Sequence, residues 1–345
     1  MAYSLPIAYA LASAALFGAS TPLAKLLLGE LPPLLLAGLL YLGSGIGLAA
    51  WIRLRGARGS LLARADWPWL AGAILAGGIA GPALLMYGLA RTDAGSASLL
   101  LNLEAVLTAA LAWLVFRENV DRRVFLGMAA IVAGGALLSW DQVPRADGAA
   151  GPLLIAAACL AWAVDNNLTR RVSGGDAAGI ACLKGLVAGA TNLGLAFAAG
   201  ASFPSAFSIA AAGALGLAGY GLSLALFIVA LRHLGTARTG AYFSVAPFFG
   251  AAIAIGLLRE EPTAAFWLAA ALMALGVWLH ATERHVHEHV HEPVEHAHEH
   301  VHDAHHQHQH DPAWDGRVPH VHPHRHRRLA HSHPHYPDLH HRHRH

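Results

Sequence analysis

The sequence predicts an all-α integral membrane protein: ten transmembrane helices arranged as 5+5 inverted repeats, followed by a disordered, histidine-rich tail. Three observations carry this. Of the 345 residues, 55% are hydrophobic and 13% charged, with a mean hydropathy of +0.45; a soluble domain carries about 25% charged residues. The charge is also unevenly placed. Residues 1–280 hold 16 Lys and Arg and 12 Asp and Glu, whereas the last 65 hold 7 Arg, 9 acids and 23 of the 25 histidines. Finally, the first 280 residues divide into apolar runs of bilayer length. This composition argues against a soluble enzyme, a secreted disulfide scaffold and a nucleic-acid binder.

A helix needs about 20 mainly apolar residues to cross a bilayer. Such runs lie at 6–28, 32–52, 68–90, 94–116, 124–140, 152–170, 177–199, 207–231, 237–258 and 262–280, with Pro, Gly, Arg and Asp in the links. Nothing shows the period-2 alternation of a transmembrane barrel. The first run lacks a basic leader and is too long for a cleavable signal, so it is expected to remain as the first helix. Short-loop Lys and Arg set orientation. With the N-terminus inside, Arg53, Arg55, Arg58, Arg64, Arg117, Arg122, Arg123, Arg170, Arg171, Arg232 and Arg238 face the cytoplasm, against Lys25, Arg91, Arg145 and Arg259 outside. Ten spans then place both termini in the cytoplasm and the body in the inner (plasma) membrane. Cys159 and Cys182 sit inside apolar runs without a CxxC pair, so neither a disulfide framework nor a thiolate metal site is expected. Small residues such as Gly72, Gly77, Gly78, Gly81, Gly185 and Gly189 read as helix-packing positions.

An internal repeat accounts for the even span count. Residues 90–118 align without gaps to 232–260: Ala109, Ala110, Ala112, Arg117 and Glu118 match Ala251, Ala252, Ala254, Arg259 and Glu260. Phe17, Ser20-Thr21-Pro22 and Lys25 likewise align with Trp162, Asp165-Asn166-Asn167 and Arg170. Five helices per half force the second half to insert upside down, the architecture of many secondary transporters. The domains are therefore 1–140, 141–280 and the tail 281–345.

These residues also carry a family resemblance. GSASLLLNLEAVLTAALAWLVFRE and the following GMAAIVAGGALL, within 88–140, resemble the hallmark repeat of EamA-type transporters of the drug/metabolite transporter superfamily; SVAPFFGAAIAIGLLREE resembles its second copy. The resemblance spans about 6–280. It implies ten helices, inverted repeats, and export or exchange of small solutes, often with a proton. One departure is Ala105, where the first repeat often has Pro; the second copy keeps it in Ala246-Pro247.

Charges at membrane depth face a cavity or a partner. Glu104, near the middle of helix 4, is read either as a carboxylate whose protonation alternates between access states or as a structural group satisfied by backbone or by Lys184. Asn102 lies on an adjacent stripe with Ser98. Asp165 and Asn166 lie in the inner third of helix 6, where Asp165 shares a face with Trp162 and Thr169. Asp165 is a solute ligand or snorkels toward Arg170 and Arg171. Thr21, beside Pro22, is the counterpart in helix 1. Lys184 binds an anionic solute group or neutralises Glu104. Tyr242 is the remaining site candidate, while Trp113, Tyr87 and Tyr220 read as packing or interface anchors.

The tail begins ERHVHEHVHEPVEHAHEHVHDAHHQHQHD and shows no hydrophobic period. Its HxH spacing makes His285, His287, His289, His291, His296, His298, His300, His302, His305, His306, His308 and His310 expected ligands for zinc, nickel, cobalt or copper. No cofactor is required by the body. The function expected is a secondary transporter moving a small solute across the membrane by alternating access; nucleophile–base pairs, phosphate loops and HExxH are absent, so no enzyme is expected. Two alternatives stay open: efflux of divalent zinc, nickel or cobalt collected by the tail, and membrane-anchored metal buffering without transport. Lipid and the solute are the expected partners, nucleic acid is not, and a homodimer is compatible with the sequence.

Overall fold

The structure, a computed structural model, describes residues 4–56, 66–116, 122–142, 149–172, 177–234, 239, 242–281, 285–291, 295–300, 320–325 and 329–335. Residues 1–283 form one compact unit and 284–345 another. The first is helical. In chain order its helices are α1 Ser4–Leu27, α2 Pro33–Arg55, α3 Trp67–Leu89 and α4, broken into Ala94–Leu100 and Leu103–Phe116. They continue with α5 Arg122–Gln142, α6 Ala150–Val172, α7 Ala177–Ala198, α8 (Ala206–Gly216, Leu217–Leu222, Ser223–Leu234), α9 Ala246–Leu257 and α10 Ala264–Ala281. Among the described residues, seven helices are long and apolar enough to cross a membrane, and three shorter apolar ones fall at Phe125–Trp140, Ala246–Leu257 and Ala264–Leu279.

Helices expected to be continuous are not all so. The 94–116 run breaks at Leu101-Asn102 although Ala105 stands where a Pro would be. The Asn102 amide donates to the Leu99 carbonyl at 2.9 Å, and the backbone N–H groups of Asn102 and Glu104 reach back three residues, to Leu99 and Leu101. A side chain competing for helix carbonyls replaces the proline. The 237–258 run also breaks, in a turn at Ser244-Val245 before Pro247 in the first turn of α9. Conversely, α1 runs unbroken through Pro22, as one helix from Ser4 to Leu27. The carbonyl of Gly18 that Pro22 cannot reach lies against Gly250 of α9.

Two π-helical stretches interrupt α3 at Ile74–Ala80 and α8 at Leu217–Leu222. The 142-residue offset of the sequence alignment carries the first almost onto the second, and Ala76-Gly77 onto Ala218-Gly219. The packing pattern follows the same exchange: α2 packs along α7 and α5 along α10, while α1–α9 answers to α6–α4 and α1–α8 to α6–α3. Backbone approaches at Gly45 and Gly185 bring α2 and α7 together. The core joins Leu35, Leu36 and Leu40 to Leu85, Met86, Leu99 and Leu100. The Cys159 thiol donates to the Leu100 carbonyl at 3.7 Å, and the Cys182 thiol to the Gly45 carbonyl at 3.4 Å.

The second unit differs from the expectation of a tail without regular structure. Its described residues form β1 His285–His291, β2 Glu295–His300, β3 His320–Arg325 and β4 Leu329–His335, with β1 antiparallel to β4 and β2 to β3. Histidine at every second residue is a period-2 pattern, the pattern of an extended strand. The register sets His285, His287 and His289 opposite His335, His333 and His331, and His296, His298 and His300 opposite His324, His322 and His320. His302, His305, His306, His308 and His310 lie outside the described residues, as do Arg117 and Glu118 of the repeat.

Candidate functional site

The π-helical stretch of α3 positions the site. A π turn leaves backbone carbonyls without their usual helical partners. Here the Gly77 carbonyl accepts from the Tyr41 hydroxyl of α2 at 3.0 Å and the Trp162 indole N–H of α6 at 2.8 Å. The carboxamide of Asn192 on α7 donates at 3.4 Å to the carbonyls of Gly78 and Ile79. One widened turn therefore gathers three helices. Gly77 is required for a second reason: a Cβ there would overlap the Asp165 side chain, and one at Gly81 would meet the Trp162 indole.

Asp165 is buried against that glycine, and its charge is met by Lys184 of α7. The ammonium lies 2.6 Å from both carboxylate oxygens, and Thr169, one turn along α6, donates to Oδ1 at 2.8 Å. Lys184 also donates to Thr169 at 3.4 Å. A buried ion pair is tolerable only when the remaining polar positions are also filled, as they are here. Asp165 thus takes Lys184 as its partner, and the hydrogen bonds of the ammonium go to Asp165 and Thr169. The side chains of Arg170 and Arg171 lie outside the described residues.

Glu104 opens the second segment of α4, just past the break. Its Oε1 accepts from the Asn166 carboxamide at 2.9 Å, and Asn166 reaches Thr108 at 3.3 Å. Next to it, the Asn167 carboxamide donates to the Thr108 and Ala163 carbonyls, fastening α6 to α4. Asn166 is exposed while Asp165 and Asn167 are buried, so the Glu104–Asn166 pair is the accessible part of the cluster. The Asp165–Lys184 pair lies within electrostatic reach of Glu104. With that pair internally neutral, the cluster retains one carboxylate whose side-chain hydrogen-bond partner is a neutral amide.

An aromatic chain borders this cluster. Tyr41 and Tyr220 stand with ring centroids 5.6 Å apart, Tyr220 and Phe17 5.7 Å, Phe17 and Phe243 5.4 Å, and Phe243 and Phe227 5.1 Å. Tyr41 and Tyr220 both lie within electrostatic reach of Glu104.

Of the residues expected at the site, Glu104, Asp165, Asn166 and Lys184 come together. Asn102 does not join them: it is buried, bonded to Leu99 and 3.9 Å from the Met273 sulfur, and Ser98 bonds Ala94 instead of Asn102. Thr21 is buried in α1. Tyr242 is half-buried, and its neighbour Phe243 takes the place in the aromatic chain. The sequence reading missed Tyr41, and it assigned Tyr220 to packing and Gly77 to helix contact alone. The signal for Gly77 was available in the Gly77-Gly78 pair; nothing in the sequence marks Tyr41. Among the described residues no three His, Cys, Asp or Glu side chains converge as metal ligands.

The sequence profile of the EamA-like transporter family matches residues 4–140 and 149–282. The chain belongs to the EamA-like transporter family and is a multi-pass membrane transporter. It is 28% identical over 282 residues to an uncharacterized transporter of Methanothermobacter thermautotrophicus, covering 76% of this chain and 82% of that one. It is 42% identical over 109 residues to a probable 4-amino-4-deoxy-L-arabinose-phosphoundecaprenol flippase subunit ArnE of Pseudomonas paraeruginosa, covering 31% of this chain and 91% of that one. A crystal structure of a protein 22% identical to it covers 80% of this chain and 96% of that chain at a TM-score of 0.58, a likeness of fold.

Proposed function

We propose that this chain is a ten-span secondary carrier of the inner membrane, with both termini cytoplasmic. It moves a small organic solute by alternating access of two inverted halves. One observation carries the reading: Glu104, at a helix break, has a neutral amide as its hydrogen-bonding partner, beside a carboxylate–ammonium pair that is already balanced. An uncompensated carboxylate at membrane depth is costly, so it takes up a proton or a cationic group. Exchange of one for the other is the elementary step of proton-coupled transport. The contact pattern that maps onto itself when the halves are exchanged supports two states of comparable packing. The similarity to flippase subunits adds amphiphilic amino-sugar lipids to the solutes worth testing.

The test is a comparison of spent medium from a host lacking its own exporters, carrying the full chain, the Glu104→Gln variant or no transporter. A solute enriched by the full chain, and not by Glu104→Gln at equal membrane levels, is the expected result. Equal export by both removes the coupling role of Glu104. We also propose that the tail binds divalent transition metal without supplying the cargo. Cellular zinc, nickel, cobalt and copper are then unchanged, or raised only when the tail is present, in a comparison with the chain stopped after Ala281. Metal lowered by the full chain and not by Glu104→Gln would make metal the cargo.

A further inference from the structure

One end of the bundle, the end that the Lys and Arg distribution assigns to the outside, is fastened by charged side chains on backbone groups. After α9 the chain turns at Arg259, a non-glycine residue in the left-handed region with φ 55°. The N–H groups of Leu258 and Glu260 both return to the Ala254 carbonyl. Such a conformation costs about 1 kcal/mol or more, and here it aims Glu260 at the start of α4. The Glu260 carboxylate accepts from the N–H of Ala94 at 2.7 Å and of Gly95 at 2.8 Å. These are first-turn donors that a helix cannot satisfy internally. Asp93 takes the next, from Ser96, at 2.7 Å. Gly95 is needed for this approach, because a Cβ there would crowd both Glu260 and the Phe266 ring.

From the other side, Lys25 in the last turn of α1 donates to the carbonyls of Leu89, Thr92 and Ala90 at 2.5, 2.8 and 3.3 Å. Lys25 also lies within electrostatic reach of Glu260 and Asp93. The short link between α3 and α4 is thus held by α1 through a cation on carbonyls and by α9 through an anion on N–H groups.

Beneath this clasp, α1, α4 and α9 approach closely at Gly18, Ser98 and Gly250. A Cβ on Gly18 would strike the Ala246 carbonyl, and one on Gly250 would strike the Ser98 hydroxyl and the Gly18 carbonyl. Ser98 is one turn inside the clasp and 1% exposed. Small residues let the backbones touch at these points. The clasp adds charge-assisted hydrogen bonds to this seam.

We propose that Glu260, with Lys25, is the outer gate of the transporter: bound to the start of α4 it holds the α1–α4–α9 seam shut, and its release opens the seam to the outside. This rests on the alternating-access reading. The gate is tested without knowing the solute. In the full chain carrying Cys159→Ala and Cys182→Ser, Ser98→Cys places a thiol beneath the clasp. Its labelling by a membrane-impermeant maleimide added to whole cells is timed with Glu260 intact, as Glu260→Gln and as Lys25→Met.

Labelling is expected to be slow with the clasp intact. It should rise about tenfold in Glu260→Gln, which loses one acceptor and the charge of a charge-assisted pair, and should rise in Lys25→Met also. Equal rates in all three, with full labelling after denaturation in detergent, overturn the proposal. So does a rise seen only in inside-out vesicles, which would put the clasp at the cytoplasmic face. Neither result bears on the spent-medium comparison of Glu104→Gln, so a failed gate and a failed carrier reading are told apart.

Discussion

The Glu260–Lys25 clasp and the Glu104–Asp165–Lys184 cluster use the same residue types in opposite ways. At the clasp, Glu260 and Lys25 spend their charges on backbone N–H and carbonyl groups of a neighbouring link. In the cluster, Glu104 bonds a side-chain amide and Lys184 a side-chain carboxylate. Backbone partners neither titrate nor rotate, so a contact with them is either made or broken, as suits a gate. Side-chain partners can change protonation or swing to another ligand, as suits a binding centre. What separates the two roles is the kind of partner, more than the charge itself.

The contrast is broken most severely at Lys184. Replacing it by Met leaves Asp165 buried without its cation, a change of about 3–5 kcal/mol. Thermal unfolding in detergent should show a large loss of stability for Lys184→Met, restored in good part by adding Asp165→Asn. Equal stability of wild type and Lys184→Met would show the pair contributes nothing. Gly77→Ala comes next. Its methyl meets the Asp165 side chain, so a loss of about 1–3 kcal/mol is expected from overpacking, read in the same melts, with Gly213→Ala as a neutral reference because its Cβ position is open.

A smaller effect sharpens the role of the π turn. Tyr41→Phe removes one of two donors on the Gly77 carbonyl and leaves Trp162 in place. The cost should be about 1 kcal/mol, and Trp162→Phe added to it should cost more than the two single changes together. Strict additivity would mean the carbonyl does not couple them.

The tail offers a comparison of its own, read in bound zinc. If opposed strands form the metal sites, changing His296, His298 and His300 to Ala costs the same tight zinc as changing His320, His322 and His324. Combining the two sets then costs no more. Local HxH sites would instead make the losses add. Imidazole binds metal only when deprotonated, so affinity in either case falls as pH drops through about 6.5.

Much of the body was legible in the sequence because its determinants are local. Apolar runs of bilayer length, links of Arg and Asp, and an ungapped 142-residue offset are properties of the chain itself, and they recovered the helices and the family. The same offset relates the two π stretches and, within a residue, the helix breaks at 101–102 and 244–245. Elsewhere the structure departs from the reading. Asn102 was expected beside Ser98 but turned onto its own helix. The period-2 alternation of histidine was read as ligand spacing rather than as a strand pattern, although both follow from the same geometry.

By itself the sequence determined which side chains are charged at membrane depth, since placing Glu104, Asp165 and Lys184 inside apolar runs needs no coordinates. Only the tertiary structure decided which of them is left over. Lys184 could have met either carboxylate. The packing of α3 on α6 and α7 seats Asp165 against Gly77 and within reach of Lys184, leaving Glu104 to an amide. The physical reason is that charge type is a property of one residue, whereas neutralisation depends on which helices the small residues allow to approach.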